Sequence, residues 1–198
     1  MFFQKEIVVE TIDNKSQNAL IVLHGYGQLA KYFIKKFEHI TTYDIIAVQA
    51  PNLFYLNGFS GRVGANWMTK EHRERAIAEQ LKILESLSSH LKSKYTHFSL
   101  CGFSQGVATA SRWLKWNVIP FKKVLLYAGE IAPETFDFFS AAHASHIRYV
   151  VGDEDEFFSS EKIELYQNRL DENAVNLNLE KVHGGHSVDV EVVRGVFV

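Results

Sequence analysis

Cysteine is nearly absent from this chain. Its 198 residues hold one, Cys101, which excludes an internal disulfide and suits a reducing compartment. Neither sign of charge is in excess. Lys and Arg number 21 against 23 Asp and Glu, a formal net charge of −2, so there is no basic footprint for nucleic acid. No apolar run approaches the length of a membrane-spanning helix. The start, Met1-Phe2-Phe3-Gln4-Lys5-Glu6, lacks a basic segment followed by a long apolar one. No signal peptide is therefore expected, and the expected location is cytoplasmic. There is no Cys/His cluster and no His-Glu-x-x-His, so no metal or other cofactor is expected. Internal repeats and low-complexity segments are missing as well. What is present is a chain of one-domain length, 1–198, with 46% hydrophobic and 13% aromatic residues, a composition that suits a layered α/β core.

Strand and helix patterns alternate along it. Residues 6–10, 19–23, 43–48, 96–101, 123–127, 147–151 and 176–182 read as strands. Helices are expected around 30–37, over 71–91, from 107, and near 161–170. In the long one Ile77, Leu81, Leu84, Leu87 and Leu91 share a face. The alternation predicts a mostly parallel sheet covered by helices on both faces, with the first strand antiparallel to the second. No connection is long enough for a large lid domain.

The chemistry concentrates at Gly102-Phe103-Ser104-Gln105-Gly106. The pattern Gly-x-Ser-x-Gly lies between an expected buried strand and a helix, the context of a nucleophile elbow. The sharp turn lifts the serine hydroxyl clear of the sheet, and small neighbours let strand and helix pass closely. The helix N-terminus points free N–H groups at the place where negative charge develops. A serine hydroxyl is a poor nucleophile alone and needs a base within hydrogen-bond reach.

Four histidines follow Ser104 in the chain. His186, in His183-Gly184-Gly185-His186-Ser187, is favoured, because two glycines after the last expected strand present a ring over the edge where sites in such sheets gather. His183 is the competitor, at the strand end. His143 and His146 read as surface residues. A carboxylate that orients the imidazole is expected after the 147–151 strand, in Gly152-Asp153-Glu154-Asp155-Glu156. Asp153 and Asp155 both qualify. An oxyanion hole requires the N–H of Gln105 and a second N–H from the loop after the 19–23 strand. That loop reads His24-Gly25-Tyr26-Gly27, and Tyr26 N–H is the candidate, with His24 shaping the loop.

Together, Leu23-His24-Gly25-Tyr26-Gly27, Gly102-Phe103-Ser104-Gln105-Gly106, Gly152-Asp153-Glu154-Asp155 and Gly184-Gly185-His186 resemble the four blocks of the phospholipase/carboxylesterase family of small α/β-hydrolases, which includes bacterial carboxylesterases and acyl-protein thioesterases. The resemblance implies an α/β-hydrolase fold. Its Gly-x-x-Asp spacing selects Asp155 as the acid, and its oxyanion donors fall on Tyr26 and Gln105. A tryptophan near the substrate in that family corresponds to Trp67. Phe157 and Phe158, beside the proposed acid, are further candidates for an apolar pocket wall. Trp113 and Trp116 have packing as the simpler reading, Phe136, Phe138 and Phe139 fit the flank of the site and a helix packing face equally, and Cys101, at a strand end, reads as buried and inert.

The expectation is a serine hydrolase acting on small-molecule carboxylic esters or thioesters through Ser104, Asp155 and His186. The alternatives are a binding protein on the same fold and a hydrolase or acyltransferase acting on lactones or amides.

Overall fold

The computed structural model describes residues 6–116, 119–140 and 146–198. Its strands are β1 (Val9–Ile12), β2 (Asn18–Leu23), β3 (Asp44–Val48), β4 (Asn52–Tyr55), β5 (Val63–Asn66), β6 (His97–Phe103), β7 (Phe121–Tyr127), β8 (Ile147–Gly152) and β9 (Leu179–Val182). Its helices are α1 (Ala30–Phe33), α2 (Arg73–Leu91), α3 (Gln105–Trp116), α4 (Phe136–Ser140), α5 (Ser160–Glu172) and α6 (Val190–Phe197). The chain after α1 tightens into a 3₁₀ turn over Ile34–Phe37.

Seven strands form one sheet in the order β1-β3-β2-β6-β7-β8-β9, parallel except for β1. The apolar runs of β2 and β3 occupy its interior and are buried on both faces, as parallel strands require. Alternate side chains feed two cores. Ile21 and Leu23 point to the side packed by Leu84, Val107, Trp113 and Leu170 from α2, α3 and α5. Leu20 and Val22 point to the side packed by Phe33, Phe37, Val193 and Phe197. This is the two-faced α/β sheet the alternation predicts.

Three expectations are corrected. The first strand pairs antiparallel with β3, not with its successor β2, whose two edges are already taken by β3 and β6. The Asp44 carboxylate fixes this crossover by accepting from the N–H groups of Asn14 and Ser16 at 2.9 and 3.0 Å. The last strand is shorter than 176–182. Asn176 N–H donates to the Phe139 carbonyl and the Leu177 carbonyl accepts from Gln167, which leaves only Leu179–Val182 to pair with β8. Finally, β4 and β5 make a separate two-stranded hairpin where no strand is expected, because Val63-Gly64-Ala65-Asn66 has little intrinsic strand preference. No helix among the described residues is long and apolar enough to cross a membrane.

Candidate active site

The order of the sheet reverses at β2, with β3 on one side and β6 on the other, and the loops leaving the C-terminal ends of β2, β6, β8 and β9 gather there. The turn from β6 into α3 holds Ser104 at φ +52°, a left-handed conformation that costs a residue with a Cβ on the order of 1 kcal/mol. Its N–H is taken by the Tyr127 carbonyl at 2.9 Å. The turn closes only because its neighbours are bare. A Cβ on Gly106 would run into the Leu23 carbonyl, and one on Gly129 into the Ser104 carbonyl.

His186 reaches this serine from the loop after β9. Its Nε2 lies 3.0 Å from Ser104 Oγ, and its Nδ1 lies 2.7 Å from Asp155 Oδ2. The Asp155 side chain is fully buried and that of His186 is 13% exposed. The other Asp155 oxygen accepts from Phe157 N–H at 2.8 Å, so the carboxylate is fixed at both ends. Rings pack against the imidazole from two sides, Phe103 at 4.9 Å and the edge of Phe157 at 4.6 Å between centroids. With the carboxylate on Nδ1, the proton belongs on Nδ1 and Nε2 faces the serine as an acceptor.

Asp153 and His183, the competing residues, lie elsewhere. Asp153 Oδ1 accepts from Gly184 N–H at 3.0 Å and stands 3.5 Å from the exposed His183 ring, tying the loop after β8 to the loop after β9. The Gly184 N–H, with His183 beside it, holds the Asp153 carboxyl below the usual carboxylate range. His146 is half-buried rather than fully on the surface, and His143 lies outside the described residues.

The loop after β2 faces Ser104 from the other side, close enough that a Cβ on Gly25 would meet Ser104 Cβ at 3.0 Å. Among the described residues, no protein acceptor takes the N–H of Tyr26 or of Gln105. His24 shapes the loop from beneath. Its Nε2 accepts from Ala50 N–H at 3.0 Å, which leaves the proton on Nδ1 for the Gly25 carbonyl at 2.8 Å. Burial pushes the His24 pKa down to about 4, so the ring is neutral near pH 7.

The structure moves Trp67 out of the pocket. It is fully buried beneath the site, where its indole N–H donates to the His24 carbonyl at 2.8 Å and its backbone N–H to Gln105 Oε1 at 2.8 Å. The chain leaving the hairpin puts the indole behind the loop after β2, so it buttresses that loop instead of forming a wall. Several contributors went unnoticed in the sequence. Gln105 spans from Trp67 to the Met68 carbonyl, Gln80 donates to the Trp67 carbonyl, and Gln28 accepts from Gly25 N–H at 2.9 Å. Glutamines carry no positional signal in a single sequence.

A cavity of about 460 Å³ opens beside Ser104, with Tyr26, Ala108, Phe157, Phe158 and Lys162 among its walls. Phe157 is exposed and Phe158 buried under Lys162, whose ammonium stands 4.5 Å over the ring. Trp113 packs edge-on against Phe121 at 5.2 Å, and Phe136 and Phe139 are core residues. Trp116 is half-exposed beneath the Lys115 ammonium, and none of these four lines the cavity. Cys101 is buried and its thiol pKa is raised by that burial, so it stays an inert thiol. No three His, Cys, Asp or Glu side chains among the described residues gather as a metal site.

The chain is similar to known proteins in both sequence and shape. The serine hydrolase (FSH1) family model matches residues 14–189. No curated protein matches. Among solved structures, Zea mays acyl-protein thioesterase 2 is 16% identical with a TM-score of 0.66, over 96% of this chain and 95% of that one. The Bacillus cereus carboxylesterase is 14% identical with a TM-score of 0.63, over 96% and 93%. The Mesorhizobium loti carboxylesterase is 12% identical with a TM-score of 0.68, over 96% and 93%. At these identities the likeness is one of fold, the α/β-hydrolase architecture.

Proposed function

This chain belongs to the serine hydrolase (FSH1) family, and from that premise we propose that it cleaves carboxylic esters or thioesters of small molecules through an acyl-enzyme on Ser104. Ser104, His186 and Asp155 act as a triad within one domain spanning 1–198, working in the cytoplasm without metal or cofactor. The observation that carries the reading is the unbroken relay from Ser104 Oγ through His186 to Asp155, at 3.0 and 2.7 Å.

The Ser104 oxygen attacks the acyl carbonyl while His186 Nε2 takes its proton. Asp155 keeps the ring in the right tautomer and stabilises the imidazolium that forms, without accepting the proton itself. The carbonyl oxygen, now negative, moves onto the N–H groups of Tyr26 and Gln105. Among the described residues neither donor has another protein partner, and the His24 and Trp67 bonds brace the loop that carries Tyr26, so little reorganisation is needed when charge appears. The tetrahedral intermediate collapses, and His186 delivers its proton to the departing alcohol or thiol. Water then attacks the acyl-enzyme by the same route in reverse. Phe157 and Phe158 wall the acyl side.

A fluorophosphonate tests this reading, because its adduct on Ser104 mimics the tetrahedral intermediate. Mass spectrometry is expected to place the adduct on Ser104, and Ser104→Ala and His186→Ala to abolish or suppress it. A folded protein that does not label at pH 8, or labels at another serine, favours an inactive binding scaffold.

A further inference from the structure

A second cavity, about 640 Å³, is walled in part by the same loop after β2, through residues that do not line the first. Its walls include Gly27 and Gln28 of that loop, Tyr32, and three cations, Lys31, Lys36 and Arg62, and no Asp or Glu. None of the three has a carboxylate partner among the described residues, although the chain as a whole carries a net charge of −2. Lys36 bonds a hydroxyl and Lys31 stands 5.0 Å over the Tyr32 ring, contacts that neutralise neither charge; three cations lining one concavity repel each other, and an anion relieves that repulsion. Two further contacts tie the cavity to the reacting centre. Gln28 accepts from Gly25 N–H, beside Ser104, and Lys36 Nζ donates to Ser187 Oγ at 3.1 Å, next to His186. Through these two contacts the rim of the cavity is bonded to residues that neighbour the reacting groups, Ser187 beside the base and Gly25 beside the nucleophile, while Phe157 and Phe158 line the other cavity.

We propose that this cavity receives a phosphomonoester carried by the leaving alcohol or thiol of the substrate. The inference rests on the hydrolase reading above. A dianion with three oxygens matches a guanidinium fork and two ammonium groups, whereas one carboxylate leaves charge over. The chemistry balances as ordinary ester hydrolysis. Ser104 Oγ bonds to the acyl carbon, the bond from that carbon to the leaving oxygen or sulfur breaks, and the serine proton passes through His186 to the phosphorylated alcohol or thiol. Water then frees the acid. The phosphate is held but never attacked. A cavity of this size suits a small phosphorylated group such as glycerol 3-phosphate or phosphopantetheine.

Two matched pairs of substrates test it on the wild-type protein. 1-Butyrylglycerol is compared with 1-butyrylglycerol 3-phosphate, and S-butyrylpantetheine with its 4′-phosphate. The phosphorylated member of at least one pair is expected to have a kcat/KM about 10-fold higher or more, mostly through KM, with the advantage shrinking as salt rises. Which pair shows the gain tells a lipid headgroup from a phosphopantetheine thiol. In K31A/R62A the ratio of phosphorylated to neutral rates is expected to fall toward one. Calorimetric titration with glycerol 3-phosphate and 4′-phosphopantetheine, against glycerol and pantetheine, reads the site without catalysis. A ratio at or below one in both pairs, a ratio unmoved by K31A/R62A, or no preference for the phosphorylated probe in titration overturns the proposal. Phosphate-dependent binding without hydrolysis of any ester overturns the hydrolase reading and leaves the site standing.

Discussion

Two loop systems meet at Ser104, and they are built differently. The loop after β2 is held from below by buried bonds. His24 receives Ala50 N–H, Trp67 donates to the His24 carbonyl, Gly27 N–H reaches the Ala65 carbonyl at 2.8 Å, and Ala65 N–H returns to the Gln28 carbonyl at 3.1 Å. The loops after β8 and β9 are joined near the surface, by Asp153 on Gly184 N–H and by Glu154 N–H on the Gly184 carbonyl at 2.9 Å. Asp155 and the partly covered His186 run inward from them. On the proposed hydrolase reading, the difference follows from the tasks. Donors that stabilise a developing charge work best when already fixed, so that loop is woven into the core. A base that shuttles a proton between nucleophile and leaving group needs a held ring with one open edge.

The largest test falls within the second system. Asp155→Asn is expected to lower kcat on the order of 10⁴-fold, because the ring loses its tautomer and its counter-charge. Asp153→Asn is expected to leave kcat within a few-fold, since its amide oxygen still accepts from Gly184 N–H. Steady-state kinetics on a p-nitrophenyl ester decide, and the reverse result would exchange the roles of the two aspartates.

The next effect separates the systems by pH. Folded His24 titrates near 4, against about 6.5 when unfolded. Between those values the unfolded chain binds the extra proton, so stability falls as pH drops from 6.5 and the loss is complete below about 4. The full loss is about 3 kcal/mol. Denaturant unfolding at pH 7.0 and pH 4.0 measures it, and His24→Gln is expected to flatten this part of the profile. An unchanged slope in that variant would break the claim that the loop after β2 rests on a buried neutral ring.

Trp67→Phe is a smaller cut into the same loop. It leaves the His24 carbonyl without its donor and is expected to cost about 2 kcal/mol of stability. It is expected to lower kcat while KM stays nearly constant, because the ring lines no cavity. A rise in KM with unchanged kcat would return Trp67 to the substrate pocket.

The parts of the molecule governed by neighbours in the chain were legible in the sequence. Ala19-Leu20-Ile21-Val22-Leu23 declares a buried parallel strand by its unbroken apolarity, and Gly102-Phe103-Ser104-Gln105-Gly106 declares its turn because only bare residues let the elbow close. His186 stood out through its glycines. The spacing of residues alone left Asp153 and Asp155 level; the family resemblance chose between them, and the fold puts Asp155 inside and Asp153 at the surface. Tertiary structure alone decided that β1 crosses to β3, that residues 52–66 fold into a hairpin, and that Trp67 turns beneath the loop after β2. Each of these depends on a partner far along the chain: Asp44 for Asn14, Ala65 for Gly27, and Gln105 for Trp67. Local periodicity and turn chemistry record what a segment prefers by itself. Which distant donor meets which acceptor is settled only when the sheet brings them within hydrogen-bond reach.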